Sequence, residues 1–277
     1  MFLFVHDRRD SDRGLVFAML DVGQGDALYI ESPTGTQVLV DGGPLRKILG
    51  KLSEVMPSYD RKIDALIMTH SDSDHISGFS EVLSAYEVGQ MFEPGVATDS
   101  LIYENLKKEL EEKKIPSVIA RKGMRLHLGG GAVIDIIFPD RDVYDWETNM
   151  ASLVLKLTYG DVSFMLTGDA LIETEELILK ETPAEFLKST YLKAGHHGSK
   201  TSTSQKFAEA VSPEYALISA GRENNYGHPH PEVLEILKSI GAQILRTDHS
   251  GTLWIKCKGT PYPNMQGDPL HVIHRFL

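Results

Sequence analysis

The sequence predicts an α/β fold in which two packed β-sheets are covered by helices on both outer faces. Three observations lead there. Short apolar runs of strand character recur along the whole chain, and several end in a cluster of glycine with aspartate or histidine. Helix-length stretches separate these runs in both halves. The 277 residues are 42% hydrophobic, enough for a substantial core. No Pro/Gly/Ser-rich linker divides the chain, so one domain is expected over 1–277, with 1–14 and 258–277 as N- and C-terminal extensions.

The elements follow in order. Strands are expected at Leu15–Met19, Ala27–Glu31 and Gln37–Val40, the last two joined through Glu31-Ser32-Pro33-Thr34-Gly35 as a hairpin turn. A strand at Ala65–Met68 precedes helices at Phe79–Tyr86 and Leu101–Lys113. The second helix interleaves Glu104, Lys107, Lys108, Glu111 and Glu112, the pattern of a solvated face. Strands at Val118–Ala120, Val133–Phe138, Leu153–Tyr159 and Val162–Leu166 come next, with Tyr159-Gly160-Asp161 as a second hairpin turn. Helices at Glu173–Lys180, Ser204–Val211 and Pro231–Ser239 alternate with a short strand at Tyr191 and strands at Ala216–Ser219, Ile244–Arg246 and Leu253–Lys256. Pro231 suits a first helical turn and Gly241 a stop. The single cysteine, Cys257, excludes an internal disulfide and a cysteine-rich zinc site, and it reads as a small core residue.

The chemistry concentrates in Thr69-His70-Ser71-Asp72-Ser73-Asp74-His75, directly after the apolar run Ile63–Met68. Alternate residues at a strand end face the same way, so His70 and Asp72 can reach one metal ion. Asp74 and His75, past the turn, can reach a second. A solvated polar loop would account for the aspartates and serines but not for both histidines. Leu39-Val40-Asp41-Gly42-Gly43 ends another strand in a tight turn, and Phe164–Asp169 repeats the plan of apolar strand, glycine and aspartate. Tyr191–Ser199 ends in His196-His197-Gly198-Ser199, and Asn225–Pro231 carries His228 and His230 before a helix.

These motifs resemble the metallo-β-lactamase superfamily, and within it the metallo-β-lactamase-like domain of ComEC-type competence DNA-uptake proteins. The matching stretches are Leu20-Asp21-Val22-Gly23-Gln24-Gly25-Asp26-Ala27, Asp41-Gly42-Gly43, Thr69 to Gly78, Asn149 to Leu155, Leu166-Thr167-Gly168-Asp169, Lys193 to Ser199 and Gly227-His228-Pro229. They span about residues 15–256. The resemblance implies a four-layer αββα sandwich and a hydrolase that acts on DNA, single-stranded DNA above all. It also implies attachment to, or partnership with, a membrane channel on the extracytoplasmic face.

Two divalent ions, zinc or manganese with magnesium a third candidate, are expected on His70, Asp72, Asp74, His75, Asp169 and His196. Asp72 stands where the commonest superfamily pattern has a second histidine, and Asn149 where it has a third. The first site is therefore oxygen-rich, which favours manganese or magnesium, while the imidazoles keep zinc in play. Asp169 is expected to bridge the ions and Asp41 to orient a ligand histidine. His196 and His197 compete for one ligand position. Strand continuity favours His196, with His197 then beside the ions or on a phosphate. Asp74 is the candidate to orient the attacking water and take its proton, with His228 as a second catalytic group. His230 is either a phosphate contact or part of a helix-capping turn.

The net charge of −11 is not that of a typical nucleic-acid binder. Yet Lys188 to Lys206 holds four lysines, two histidines, seven Ser/Thr and no acid. Lys193, Ser199 and Lys200 flank the proposed centre and could meet phosphate, while Lys188 and Lys206 read as solvated helix residues. Met1–Val5 is too short to span a bilayer and lacks the order of charges of a signal peptide, so the chain as written is expected to be soluble and unexported. Two rival functions stay open: a small-molecule hydrolase of the lactonase or thioesterase kind, and a non-catalytic DNA- or partner-binding module with an impaired metal site. The first would want an apolar lid, for which only Met91-Phe92-Glu93-Pro94 offers itself.

Overall fold

A computed structural model describes residues 14–258 and the backbone of 271–274. The first half of the chain builds one sheet from β1 (Leu15–Met19), β2 (Leu28–Glu31), β3 (Gln37–Val40), β4 (Lys62–Ile67), β5 (Glu87–Glu93) and β6 (Ser117–Ile119). The second half builds another from β7 (Met124–Gly129), β8 (Ala132–Phe138), β9 (Val154–Tyr159), β10 (Val162–Leu166), β11 (Tyr191–Lys193), β12 (Tyr215–Ile218) and β13 (Gln243–Arg246). Then β14 (Leu253–Cys257) crosses back to pair antiparallel with β1, and β15 (His271–His274) edges the second sheet beside β7. The sheets run β14-β1-β2-β3-β4-β5-β6 and β13-β12-β11-β10-β9-β8-β7-β15.

The side-chain alternation shows why the sheets pack as they do. Val38 and Val40 turn inward with Phe17, Ile67 and Phe92 to meet Ile134, Leu155, Leu157, Phe164 and Leu166 of the other sheet. Phe17 and Phe164 stack across the interface with centroids 4.4 Å apart. Leu39 and Leu66 point the other way, under the helices Ile48–Val55, Phe79–Ala85 and Leu101–Glu112. On the far side Met165, Leu192 and Ala216 lie under the helices Ile172–Glu181, Gln205–Val211 and Pro231–Ser239. The result is the expected four-layer αββα sandwich. Central strands covered on both faces read as continuous apolar runs, which is why they were visible in the sequence.

Within each sheet four strands run parallel: β3 to β6, and β10 to β13. Ligands in open α/β sheets gather beyond the carboxyl ends of such strands. That end of β3, β4, β10 and β11 carries Asp41, Thr69–His75, Asp169 and His196-His197. Two close approaches hold it together. A Cβ on Gly78 would fall 2.0 Å from the Gly42 carbonyl oxygen, and one on Gly198 would fall 2.5 Å from the Pro229 side chain.

Some elements differ from the sequence reading. Met91-Phe92-Glu93-Pro94 is no lid: it closes β5, and Met91, Phe92 and Glu93 are buried. Its polar residues hid the strand, and Gly89 lets the Asp64 carbonyl come close enough that a Cβ would meet it at 2.5 Å. The strand β7 was also unread, because Arg125 and His127 interrupt its apolar residues. The helix Ile48–Val55 lacks a side-chain cap to announce it. Cys257 is buried in the inter-sheet core, as expected. No helix among the described residues is long and apolar enough to cross a membrane. Residues 1–13, including Met1–Val5, lie outside the described residues.

Candidate metal centre

The loop after β3 passes through Asp41 in a left-handed conformation, φ 57°. Its carboxylate accepts from the Thr69 backbone N–H at 2.8 Å, from Thr69 Oγ1 at 2.7 Å, and from His75 Nδ1 at 2.8 Å. The Thr69 hydroxyl hydrogen is thereby committed to Asp41, so its oxygen is left to accept from His70 Nδ1, 3.0 Å away. That network assigns the proton of His70 to Nδ1 and leaves a bare lone pair on Nε2. Burial first, and the neighbouring His75 second, lower the His70 pKa to about 3, so the ring is neutral.

The one-turn helix Ser73–Ile76 then swings Asp74 and His75 round to the far side. After β11 the chain passes through two consecutive left-handed histidines, His196 at φ 48° and His197 at φ 55°. Non-glycine residues in that region cost about 1–3 kcal/mol each and cluster at functional sites. The turn ends the strand at Lys193, so strand continuity does not choose between the two rings. Both face the centre.

A single oxygen lies at the middle. Asp169 Oδ2 is 3.9 Å from His70 Nε2, 3.3 Å from His75 Nε2, 3.7 Å from His196 Nε2 and 3.4 Å from His197 Nε2. Around it the donors sort into two groups. In the compact group, His75 Nε2 and His197 Nε2 are 3.3 Å apart, and Asp74 Oδ2 is 3.3 Å from His197 Nε2. The wider group contains His70 and Asp72, with Asp72 Oδ2 3.8 Å from His70 Nε2, and His196 is the remaining ring on Asp169 Oδ2. Two donors on one tetrahedral zinc with bonds of about 2.1 Å lie about 3.4 Å apart. The compact group has that spacing.

Behind the rings lies a layer that the sequence reading did not assign. Asp26, which closes the Asp21–Asp26 loop before β2, is within reach of His75, Asp169 and His197 as a possible fourth donor. Its contacts place it elsewhere. Its carboxylate meets the Nδ1 sides of both rings, at 4.0 Å from His75 and 3.4 Å from His197, and it pairs with the Lys193 ammonium. It therefore orients the rings from behind, while their Nε2 atoms look toward Asp169. His197 Nδ1 also donates to the Ser219 carbonyl at 3.1 Å. The signal for Asp26 in the sequence is its place at the end of the Asp21–Asp26 motif, just before β2.

Lys193 is fully buried and donates to the Gly168 carbonyl at 2.7 Å, so it does not form part of an exposed cationic rim. Its ammonium lies 3.5 Å from Asp169 Oδ1, which leaves Oδ2 to the imidazoles. Lys200, Lys188 and Lys206 are exposed. Ser199 is buried and bonded to Thr201. Asp72 receives a hydrogen bond from Thr148 Oγ1 at 2.8 Å, and the neighbouring Asn149 has a buried Oδ1 without a hydrogen-bond partner. His230 Nδ1 accepts from the Lys200 backbone N–H at 3.1 Å, and His230 precedes the helix Pro231–Ser239 without a side-chain capping hydrogen bond. The His228 ring is 5.6 Å from His196 and 6.2 Å from His197, with a buried Nδ1 that has no hydrogen-bond partner.

The charge states match a cation centre. Burial opposes charging His75 and His197, but Asp169 with Asp41 raises the first well above its ordinary pKa, and Asp169 with Asp26 raises the second to about 9. Burial would raise the Asp74 pKa, yet the hydrogen bond from His197 and the charge of His75 bring it down to about 2. Protons on these rings compensate crowded carboxylates, the role a divalent ion takes over on binding. The bare, buried and unpartnered Nε2 of His70 beside two carboxylates is the clearest local sign that the residues fit metal ions.

A model described as the metallo-beta-lactamase superfamily matches residues 20–222. ComE operon protein 3 of Bacillus subtilis is 32% identical over 264 residues, covering 87% of this chain and 33% of that protein. Competence protein ComA of Neisseria gonorrhoeae is 30% identical over 238 residues, covering 84% of this chain and 31% of its own length. The chain thus spans about a third of the curated relatives it matches. Among solved structures, the metallo-β-lactamase fold protein YhfI from Bacillus subtilis superposes with a TM-score of 0.59 at 14% identity, covering 88% of this chain and all of that one.

Proposed function

The chain belongs to the metallo-β-lactamase superfamily, and from that premise we propose that it is a metal-dependent hydrolase cleaving phosphodiester bonds of single-stranded DNA with two divalent ions. The observation that carries the reading is the convergence of four imidazole Nε2 atoms on Asp169 Oδ2, with Asp72 and Asp74 on either side. In this reading His70, Asp72 and His196 hold one ion, Asp74, His75 and His197 hold the other, and Asp169 is shared. Each group offers two imidazoles and one carboxylate besides the shared Asp169, a mixed donor set that zinc and manganese can both occupy, and the spacing of the compact group is that of zinc. DNA as substrate is supported by the competence relatives and by the acid-free stretch that carries Lys200.

Bound ions supply Lewis-acid activation of a water and charge compensation for phosphoryl oxygens. The protein's own groups do the rest. Asp74, ionised and half-exposed, accepts a hydrogen bond from the water and sets its direction. At a pKa of about 2 it is a weak base, so it orients the water more than it holds the proton. His228 is held neutral by burial and by the neighbouring imidazoles, which lower its pKa to about 4. A neutral ring donates one hydrogen bond, to a phosphate oxygen or the leaving oxygen. Lys200 is exposed and available to a flanking phosphate.

The test is incubation of the purified protein with single-stranded DNA and Mn²⁺ or Zn²⁺. Cleavage that disappears with chelator and in His75→Ala is expected. No cleavage with any divalent ion, under conditions where the protein holds its metal, would overturn the nuclease reading and favour a binding module.

A further inference from the structure

We propose that Tyr226 and His228 form a stacking platform for one nucleobase of a single-stranded nucleic acid, next to the scissile phosphate. The inference rests on the phosphodiesterase reading above and names how that site grips its substrate. The Tyr226 ring is exposed, 67% accessible, yet it lies on the His228 ring with centroids 5.7 Å apart and planes inclined by 23°. His228 in turn stands edge-on to His196, one of the rings facing Asp169. A row of rings thus leads from solvent to the metal donors, with its outermost face open.

The row is held by its backbone. Asn224 Oδ1 accepts from the N–H groups of Tyr226 at 3.2 Å and His228 at 2.9 Å, and its amide donates to the carbonyls of Gly221 at 2.8 Å and His228 at 2.7 Å. Gly221 lies against the Asp21–Asp26 loop, where a Cβ would fall 2.9 Å from the Gln24 nitrogen, and Pro229 lies against Gly198. Both loops that grip this segment therefore also carry groups of the centre. An aromatic ring held out on a pinned loop contributes little to the core, but its loss of freedom is already met before a ligand arrives.

The occupant follows from the surroundings. Every base offers a π-face, so stacking on an aromatic ring is tolerant of sequence, as cleavage of arbitrary DNA requires. The neighbours of the platform are imidazoles and the exposed Lys200, whose backbone N–H is bonded to His230 of the same row. An exposed aromatic face flanked by imidazole donors matches a nucleotide, whereas an apolar small molecule would want aliphatic walls.

The experiment measures binding by fluorescence anisotropy with metal-loaded protein and labelled phosphorothioate oligothymidylate, which resists cleavage, beside an abasic oligomer of equal length. Tyr226→Ala is expected to weaken oligothymidylate about tenfold, in the range of one lost base stack. Tyr226→Phe should bind like wild type, and the abasic oligomer should not distinguish Tyr226→Ala from wild type. Equal losses on both oligomers, or no loss on either, would overturn the platform while leaving cleavage to be judged separately. A base-dependent loss in a protein that cleaves no DNA would keep the platform and remove the nuclease reading.

Discussion

Lys193 and Asp26 form an ion pair from which water is excluded on both sides, with side chains 0% and 1% exposed. The same ammonium donates to the Gly168 carbonyl and approaches Asp169 Oδ1. One buried cation thus balances an orienting carboxylate and holds the central carboxylate so that its other oxygen meets four imidazoles.

Removing that cation should be costly. Lys193→Met leaves two buried carboxylates without their partner, and breaking such a pair from one side destabilises by about 3–5 kcal/mol. Urea unfolding of the chelated protein checks this. The double variant Asp26→Asn with Lys193→Met should recover part of the loss; a double variant as unstable as the single one would mean that the pair does not carry this charge balance.

The two histidines after β11 should not be interchangeable. His197→Ala is expected to lower metal content through the compact group, and His196→Ala through the wider one. Mild chelation of the wild type should strip the wider group first. Asp72→His should shift that group toward zinc, because imidazole nitrogen suits zinc better than it suits manganese. Metal analysis by mass spectrometry after dialysis against mixed Zn²⁺ and Mn²⁺ reads all three. An unchanged metal preference in Asp72→His would remove Asp72 from the ligand set.

Thr148 acts through Asp72, to whose Oδ1 it donates at 2.8 Å. Losing an orienting hydrogen bond of this kind typically costs about 10–100-fold in metal affinity. Thr148→Ala should therefore weaken one ion and not the other, and Thr148→Ser should restore it. Competitive titration with a metal indicator measures both affinities. Equal weakening of the two ions would point to a general disturbance instead.

Stability should fall as pH rises from about 4.5 to about 7, because burial lifts the Glu175 pKa from 4.5 to about 7. Across that window the folded protein keeps a proton that the unfolded chain releases, so folding is favoured at the acid end. The contribution is about 3 kcal/mol from a shift of this size. Glu175 accepts from the backbone N–H groups of Thr203 at 2.5 Å and Ser204 at 2.8 Å, just beyond the His196-His197 turn. Glu175→Gln should flatten this part of the profile of unfolding free energy against pH; an unaltered slope would show that the group titrates near its ordinary value.

The two packed sheets were legible because strands buried on both faces leave dense apolar runs, and hairpin turns such as Glu31–Gly35 mark their ends. The gathering of His70, Asp72, Asp74, His75 and Asp169 at one end was legible too. Polar residues after a parallel strand have only the sheet's carboxyl edge to occupy. β5 and β7 were not legible, because their polar residues mask a half-buried strand. Which imidazole faces which carboxylate was equally hidden, because left-handed turns at Asp41, His196 and His197 leave no periodic signature.

By itself, then, the chain's pattern determined the four-layer architecture and the donor types, since local periodicity and strand-end position are properties of neighbouring residues. Only the tertiary structure decided that Asp26 and Lys193 stand behind the centre, that Thr148 holds Asp72, and that Tyr226 reaches His228 at its rim. Asp26 and Lys193, like Thr148 and Asp72, lie far apart in sequence and meet only because β2, β4, β9 and β11 belong to two sheets packed face to face. Burying a charge there is tolerable only where its partner arrives from the other sheet.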